Sequence, residues 1–333
     1  MSLFQKMVVG GAAPEPVYTD DVFRAYTYPG IGGDAAHNIG VDLQNNGGAV
    51  WVKDRDAPFN NVIADSERGG QSTLASNTDV AELTNTDTVK TLTTTGFTLG
   101  ERFSVNTLGD AYIAWVFRQS PRFFDIVPYT GNGNAGLQLA HNLKCEVGML
   151  FTKRLDSAAS WAVYHRSLGA AYAMLLDYAN AKIGPSTSLW GNNSSAIPPT
   201  TNNFTVSNNA TMNADGGLYV AYLFAHEPST QGQIQCGSYT GDGASIGALN
   251  NLGWKPQYIM IKSVATGHWV VFDTARSTLM DDGLLTCNTE AAEVTGVWYV
   301  AFSDNGFQPL TSSVLVNANG VEYVYMAIRE DNK

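Results

Sequence analysis

The sequence predicts an all-β protein made of three tandem antiparallel β-sandwich repeats, jelly-roll-like, of about 105 residues each. Three observations carry this prediction. The composition is weakly charged and rich in glycine, the apolar segments have strand length and alternate with turn signals, and a set of anchors recurs three times in one order.

The composition is typical of a β protein with many turns. Hydrophobic residues make up 44% of the 333 residues, which is ample material for packed cores. Charged residues make up only 15%, against roughly 25% in an average globular chain. The 33 glycines, with many Ser, Thr and Asn residues, predict frequent turns and a polar but weakly charged surface.

Charge and hydropathy argue against two classes of partner. The net charge is −11 and Lys and Arg form no cluster, whereas a nucleic-acid binder presents a basic face. No apolar run reaches the roughly 18–20 residues that span a bilayer, so membrane insertion is not expected.

Each repeat opens with a Tyr-Gly turn and closes with an Asn-led turn that enters an apolar strand. The closing turns share the pattern Asn-x-x-Gly-x-x-Tyr, whose Asn advances by 107 and then 104 residues. Gly and Asn tolerate the positive φ of such turns, and strands such as YIAWVF are apolar at nearly every position, which predicts burial on both faces. The opening turns start at Tyr28, Tyr129 and Tyr239, and the closing turns start at Asn106, Asn213 and Asn317.

Three further anchors lie between these turns. Apolar strands end at a lysine, short strands run into an arginine, and a phenylalanine precedes the closing turn by 9 or 10 residues. The lysines are Lys53, Lys153 and Lys262, the arginines are Arg68, Arg166 and Arg276, and the phenylalanines are Phe97, Phe204 and Phe307.

The anchors divide the chain into a first unit (17–120), a second unit (121–228) and a third unit (229–333), preceded by an N-terminal arm (1–16). Short linkers predict that the units pack in a row or in a compact cluster. The stretch SLGAAYAMLLDYANA from Ser167 is compatible with a helix, but its counterparts in the other units read as strands and turns, so we assign a strand there.

At these anchors the chain resembles the tandem-repeat virion proteins of tailed phages, especially marine and cyanobacterial ones, described as concanavalin-A-like lectin-type or tail-fibre-associated. The resemblance rests on the YTGNG turn from Tyr129, the segment from Lys153 to Gly169, and the closing strand from Asn213 to Phe224. It covers nearly the whole chain beyond residue 16, although the first unit has YPGIG in place of YTGNG. The resemblance implies a structural or adsorption component of a phage particle and carries no known catalytic residues.

The repeated polar residues are interpreted as structural positions. The lysines are compatible with a ligand site, but a strand-end lysine that reaches solvent, or pairs with a carboxylate such as Asp56 or Asp156, is the favoured interpretation. The arginines are expected to form repeated internal salt bridges or backbone clamps, and the asparagines are expected to form turns.

Trp190 is the candidate glycan contact. It lies in a Gly-, Asn- and Ser-rich stretch, so we expect it to be exposed, and an exposed indole can stack on a sugar. The tryptophans inside apolar strands, such as Trp161 and Trp269, are expected in cores.

No reactive constellation recurs, so the sequence predicts neither an enzyme nor a cofactor or metal site. The carboxylate pairs Asp54–Asp56 and Asp65–Glu67 lack counterparts in the other units, which makes a glycan-degrading enzyme the least favoured function. The five histidines show no metal-ligand spacing, and Asp-rich turns leave calcium open. Three widely spaced cysteines predict buried, reduced thiols in a protein assembled in the host cytoplasm.

The N-terminal arm combines an apolar run, MSLFQKMVV, with the connector GGAAPEP. An apolar arm that joins no core usually needs a partner, so we expect it to dock onto another virion subunit, for example by adding a strand to a sheet edge. A disordered terminus is the alternative. The docking residues would be Leu3, Phe4, Met7, Val8 and Val9.

The sequence therefore predicts a phage virion structural protein: a tail-fibre, tail-tip or head-appendage subunit whose partners are other tail or capsid subunits. The alternative is a carbohydrate-binding, lectin-like adhesion module that recognises host-surface glycans, and the two roles can coexist. A homo-oligomer, with a trimer favoured, is expected because fibre proteins commonly trimerise.

Overall fold

The structure is a computed structural model that describes residues 17–229, 231–276 and 283–330. Helices make up 5% and strands 42% of it. The sheets are antiparallel throughout these ranges, which confirms the all-β sandwich class. The helices are single turns: α1 (Thr19–Val22), α2 (Leu43–Asn46), α3 (Phe103–Asn106) and α4 (Ala210–Asn213).

The strands are short and follow the predicted apolar segments. In the first unit they are β1 (Phe23–Pro29), β2 (Ala35–Asn38), β3 (Gly48–Asp54), β4 (Val62–Asp65), β5 (Ser72–Ala75), β6 (Leu83–Thr84), β7 (Val89–Thr93), β8 (Gly96–Leu99) and β9 (Ala111–Arg118). In the second unit they are β10 (Phe124–Thr130), β11 (Leu137–Ala140), β12 (Val147–Arg154), β13 (Ala162–His165), β14 (Met174–Leu175), β15 (Asn203–Val206) and β16 (Leu218–Ala225). In the third unit they are β17 (Ile234–Thr240), β18 (Asn250–Asn251), β19 (Pro256–Ser263), β20 (Trp269–Asp273), β21 (Leu285–Thr286), β22 (Val300–Ser303), β23 (Gly306–Pro309) and β24 (Glu322–Arg329).

Each unit places a large sheet against a small one. The large sheets run β1-β9-β3-β4-β5-β6, β10-β16-β12-β13-β14 and β17-β24-β19-β20-β21. In all three, the first strand of the unit pairs with the last, and the strand that carries the anchor lysine comes next. The small sheets are β2-β8-β7, β11-β15 and β18-β23-β22.

The central strands of the large sheets are buried on both faces, which explains their almost continuous apolar sequences. In β9, Trp115 and Phe117 point into a core that residues of all three units share. Ala114 and Val116, on the opposite face, pack in the first unit's own core beneath its small sheet. Phe117 shows how closely the units meet, because its ring lies 5.4 Å from the rings of Phe124 and Phe224 and 6.3 Å from that of Tyr258.

The three units close into a ring. Each unit donates a backbone N–H to a carbonyl oxygen of the next unit, at 2.8–2.9 Å, and the third unit donates to the first. The corresponding pairs are Glu82 N to Leu155 O, Lys182 N to Val264 O, and Glu293 N to Arg55 O. Of the two expected arrangements, the structure thus has the compact one, with three junctions.

The ring has two different ends. At the linker end, the Val17 carbonyl accepts a bond from Gln233 Nε2 at 2.5 Å, and Arg329 N donates to Gln233 O at 2.9 Å. Ala225 N donates to Phe123 O there, so the linkers and both ends of the described chain meet. The opening strands β1, β10 and β17 run away from this end for about 20 Å, at 3.3–3.4 Å per residue. Their Tyr-Gly turns form the opposite, turn end.

Candidate functional site

The three anchor lysines are buried junction contacts, so the expectation of solvent-reaching lysines was wrong. All three side chains are 0% exposed. Each Nζ donates to a backbone carbonyl of the preceding unit in the ring: Lys53 to Glu290 O at 2.9 Å, Lys153 to Asp79 O at 3.1 Å, and Lys262 to Asn180 O at 3.1 Å. Burial lowers the pKa of each lysine to about 8. Strand ends are usually exposed, but here a loop of the neighbouring unit covers them.

Two buried tryptophans make equivalent junction bonds. Trp161 Nε1 donates to Ala75 O at 3.0 Å, and Trp269 Nε1 donates to Leu175 O at 2.8 Å. The first unit has Asn61 at this position, whose Nδ2 donates to Cys287 O at 2.8 Å. Each unit therefore presents a donor to a backbone carbonyl of the preceding unit.

The anchor arginines differ between junctions. Arg68 pairs with Asp65 at 2.7 Å and with Glu82 at 2.7 Å, and its side chain is 4% exposed. Arg276 is buried in the same way and pairs with Asp273 at 2.8 Å and with Glu293. These two are internal salt bridges.

Arg166 departs from this arrangement. Its guanidinium pairs with Glu146 at 2.8 Å on the surface, where the two side chains are 30% and 50% exposed. His165 replaces the aspartate of the other units, and its Nε2 lies 3.1 Å from Tyr325 O in the third unit. Burial lowers the pKa of His165 to about 4, so this junction is closed by a neutral imidazole.

The anchor asparagines tie the closing turn to the opening turn. Asn106 Oδ1 accepts from Ile31 N at 2.8 Å, and its Nδ2 donates to Gly100 O at 2.8 Å. Asn213 binds Asn132 N and Ser207 O in the same way. Asn317 binds Asp242 N and Ala244 O. The side chains are buried, so these asparagines join two turns of each unit rather than forming one turn alone.

A pair of stacked tyrosines supports each turn end. The opening tyrosines donate their hydroxyls to buried carbonyls, as Tyr129 does to Met212 O at 2.8 Å. Their rings stack on the tyrosines of the closing strands at centroid distances of 5.0–5.2 Å. Burial raises the pKa of Tyr129 well above its ordinary value.

We expect Tyr129→Phe to lower the free energy of unfolding by about 1–2 kcal/mol, because the buried Met212 carbonyl loses its donor while ring stacking is kept. Urea denaturation measures this difference. Tyr26→Phe serves as the control, since Tyr26 is only partly buried, and should change stability by less than about 0.5 kcal/mol. Equal effects of the two substitutions would contradict the assigned bond.

Trp190 is not an exposed glycan contact, and that expectation was wrong. The side chain is 0% exposed and packs edge-on against Tyr164 with ring centroids 5.9 Å apart. Its Gly- and Asn-rich loop folds back over the large sheet of the second unit. The polarity of the flanking residues therefore does not indicate whether the indole is exposed. A tryptophan that does reach the surface is Trp298, which is 53% exposed but lies in an apolar VWYV stretch that resembles a buried strand.

The first unit contains an open cleft that the sequence analysis missed. Its volume is about 260 Å³. Phe59 and Phe103 line it with ring centroids 4.7 Å apart, and the Arg102 guanidinium carbon lies 4.9 Å from the centroid of Phe103. The rest of the lining combines Glu290 of the third unit with apolar and neutral polar residues. The apolar residues are Pro58, Val62, Leu74, Ala75, Val80, Ala81 and Leu83, and the neutral polar residues are Asn60, Thr73, Thr78, Asn85, Thr88 and Ser104.

The sequence indicates this cleft when corresponding residues of the three units are compared. Phe103 lies three residues before Asn106, and the corresponding residues of the other units are Ala210 and Val314. Arg102 corresponds likewise to Asn209 and Ser313. Both residues are departures from the repeat.

The remaining predictions concern the N-terminal arm, metal ions and membrane insertion. The arm residues Leu3, Phe4, Met7, Val8 and Val9 lie outside the described residues. Within 17–229, 231–276 and 283–330, no three His, Cys, Asp or Glu side chains are grouped so that they could hold a metal ion. No helix in those ranges is long and apolar enough to cross a membrane.

Comparison with known proteins identifies a family. A family described as a domain of unknown function (DUF7483) matches residues 19–332, which is nearly the whole chain. No curated protein matches the chain.

Proposed function

Because the chain belongs to the DUF7483 family, whose description names no activity, we propose a function from its geometry: a structural subunit of a tailed-phage particle. In this proposal the chain belongs to a tail fibre, tail tip or head appendage. The N-terminal arm docks it onto another tail or capsid subunit.

The polarity of the ring is the observation that carries this proposal. The arm precedes Val17, which lies at the linker end beside Gln233. The three Tyr-Gly turns lie at the opposite end of their strands. A chain attached through its arm would therefore direct the three turns away from its support, as an appendage requires.

The construction of the ring also suits a part that must resist mechanical force. The units share one apolar core and are joined by bonds from buried lysines and indoles, and Arg68 donates to Tyr222 OH across one junction. Interfaces that are large and apolar restrict relative motion of the parts they join. The resemblance to tandem-repeat virion proteins supports the assignment to a particle.

Cryo-electron microscopy of particles of the phage that encodes the chain tests the proposal. We expect density for the ring with its linker end against a tail or capsid subunit and its turn end outward. Deleting residues 2–13 should abolish incorporation while the purified variant keeps its thermal midpoint. Absence of the chain from the particles, or normal incorporation of the deletion variant, would contradict the proposal.

A second candidate function is carbohydrate binding, and the cleft of the first unit favours it. Phe103 belongs to α3, and its carbonyl oxygen accepts a bond from Tyr112 OH at 2.7 Å, which places the mouth of the cleft near the turn end. A binding site there would face away from the support in the proposed orientation. Binding to a glycan array by the full chain tests this candidate.

A further inference from the structure

We propose that the first-unit cleft binds a short segment of an uncharged oligosaccharide, with Phe103 as the stacking surface and Arg102 as a hydrogen-bond donor. This inference rests on the second candidate function and adds the site, its residues and the ligand class. It does not depend on where in a particle the chain is placed.

Phe103 has a side chain that the fold does not require. In each unit the residue at this position accepts a bond from a tyrosine hydroxyl through its backbone carbonyl: Phe103 from Tyr112, Ala210 from Tyr219, and Val314 from Tyr323. A methyl or isopropyl group serves this role in the other units. The aromatic ring of Phe103 is nevertheless 49% exposed beside Phe59. Aromatic residues in an open cleft with a few polar groups are typical of a ligand site.

Arg102 stands where the other units have a side chain that accepts a backbone N–H of the following turn. Asn209 accepts a bond from Thr211 N at 2.9 Å, and Ser313 Oγ accepts one from Leu315 N at 3.3 Å. Arg102 precedes α3 without any side-chain cap bond. Its guanidinium is held over the Phe103 ring. The first unit thus lacks a stabilising contact of the other units and has a row of N–H donors at the mouth of the cleft instead.

The charges of the cleft indicate an uncharged ligand. Its lining contains one cation, Arg102, and one anion, Glu290, and its other side chains are neutral. An acidic polysaccharide would be repelled by the chain, whose net charge is −11. Thr73, Asn85 and Thr88 already make hydrogen bonds within the chain. A purely apolar ligand would cover the Arg102 guanidinium without giving it an acceptor, which costs free energy. Hydroxyl groups on a ligand would accept from Arg102, and the C–H face of a sugar ring would cover Phe103.

The size of the cleft limits the ligand to a few sugar rings. Its volume of about 260 Å³ lies just below the roughly 300–1,000 Å³ of pockets that bury a drug-sized ligand. The cleft therefore fits the end or one short segment of a longer chain. Several weak contacts of this kind combine on a multivalent particle.

Titration calorimetry of the full chain tests the site. The probes are maltohexaose, cellohexaose, isomaltohexaose and mannohexaose, with polygalacturonate as the acidic comparator. We expect at least one uncharged hexaose to bind with a Kd below about 1 mM, which corresponds to about −4 kcal/mol. Phe103→Ala should weaken that binding at least tenfold, whereas the matched Val314→Ala should leave it unchanged. The proposal fails if no uncharged hexaose binds, if polygalacturonate binds more tightly, or if Phe103→Ala binds normally.

Arg102→Asn separates a binding role from a structural one. This substitution copies the second unit, so it should raise the thermal midpoint by restoring a cap bond, and it should weaken hexaose binding at least fivefold. A lower midpoint, or unchanged binding, would overturn the role assigned to Arg102. These measurements use the purified chain, so they are independent of where the chain is located. Hexaose binding can be absent although the chain is found on particles, and it can be present although the chain is not found there.

Discussion

Replacing Arg68 by methionine is expected to lower the free energy of unfolding by about 3–5 kcal/mol, because it leaves buried charge without a partner. The guanidinium binds Asp65 and Glu82, each at 2.7 Å, and Tyr222 OH at 3.0 Å across the junction between the first and second units. The Asp65 side chain is 0% exposed. Methionine fills similar volume but provides no donor for these oxygens. Guanidinium chloride denaturation, followed by tryptophan fluorescence, measures the loss.

Arg166→Met is the surface control. Arg166 directly follows His165, the counterpart of Asp65, so it lies two positions before the counterpart of Arg68. Its pair with Glu146 lies at the surface. Exposed ion pairs contribute about 0–1 kcal/mol, so this variant should remain close to the unsubstituted chain. If the two variants lose equal stability, the assigned difference between the junctions is wrong.

Asp177→Asn is expected to raise the free energy of unfolding by about 2–3 kcal/mol at pH 7, since a shift of one pKa unit is worth about 1.4 kcal/mol. Burial raises the pKa of Asp177 from 3.8 to about 6. One oxygen accepts from Trp161 N at 3.1 Å, while the buried Oδ2 has no hydrogen-bond partner. Asn77 and Asn288 accept the equivalent backbone bonds in the other units, so an amide fits this position.

The sign of this effect fixes its pH dependence. Because the folded pKa lies above the unfolded one, the fold favours the protonated Asp177. The stability that it contributes is present below about pH 4 and is lost as the pH rises through 6. The gain from Asp177→Asn should therefore be largest at neutral pH and mostly disappear below about pH 4. The reverse substitution Asn77→Asp should destabilise the chain at pH 7. A gain that does not depend on pH would contradict this explanation.

The all-β class and the central place of each closing strand in its sandwich follow from patterns in the sequence. Turn residues at fixed spacing and strands such as YIAWVF, apolar on both faces, are local signals of a sandwich centre. The internal salt bridge of Arg68 with Asp65 was also within reach, because the two residues are three positions apart on one short segment.

The closed ring was not predictable from these signals. The sequence around Lys53 is the same whether its side chain reaches solvent or lies beneath a loop. The carbonyl that it binds belongs to Glu290, 237 residues further along the chain. Trp190 illustrates the same limit, because polar neighbours in sequence need not be neighbours of the indole in space. The cleft has a different cause: it depends on Arg102 and Phe103, which differ from the corresponding residues of the other units, so the residues that the three units share do not indicate it.

The junction between the third and first units has a consequence for biosynthesis. Asn61 bonds to the carbonyl of Cys287, 226 residues further along the chain. A first unit that has just left the ribosome therefore lacks the Cys287 and Glu290 carbonyls that Asn61 and Lys53 bind, and it exposes the face that carries Trp115 and Phe117. Such long-range closure is slow compared with local strand pairing. The nascent chain must remain protected from aggregation until its last hundred residues are made, and stop codons late in the reading frame should be as damaging as early ones.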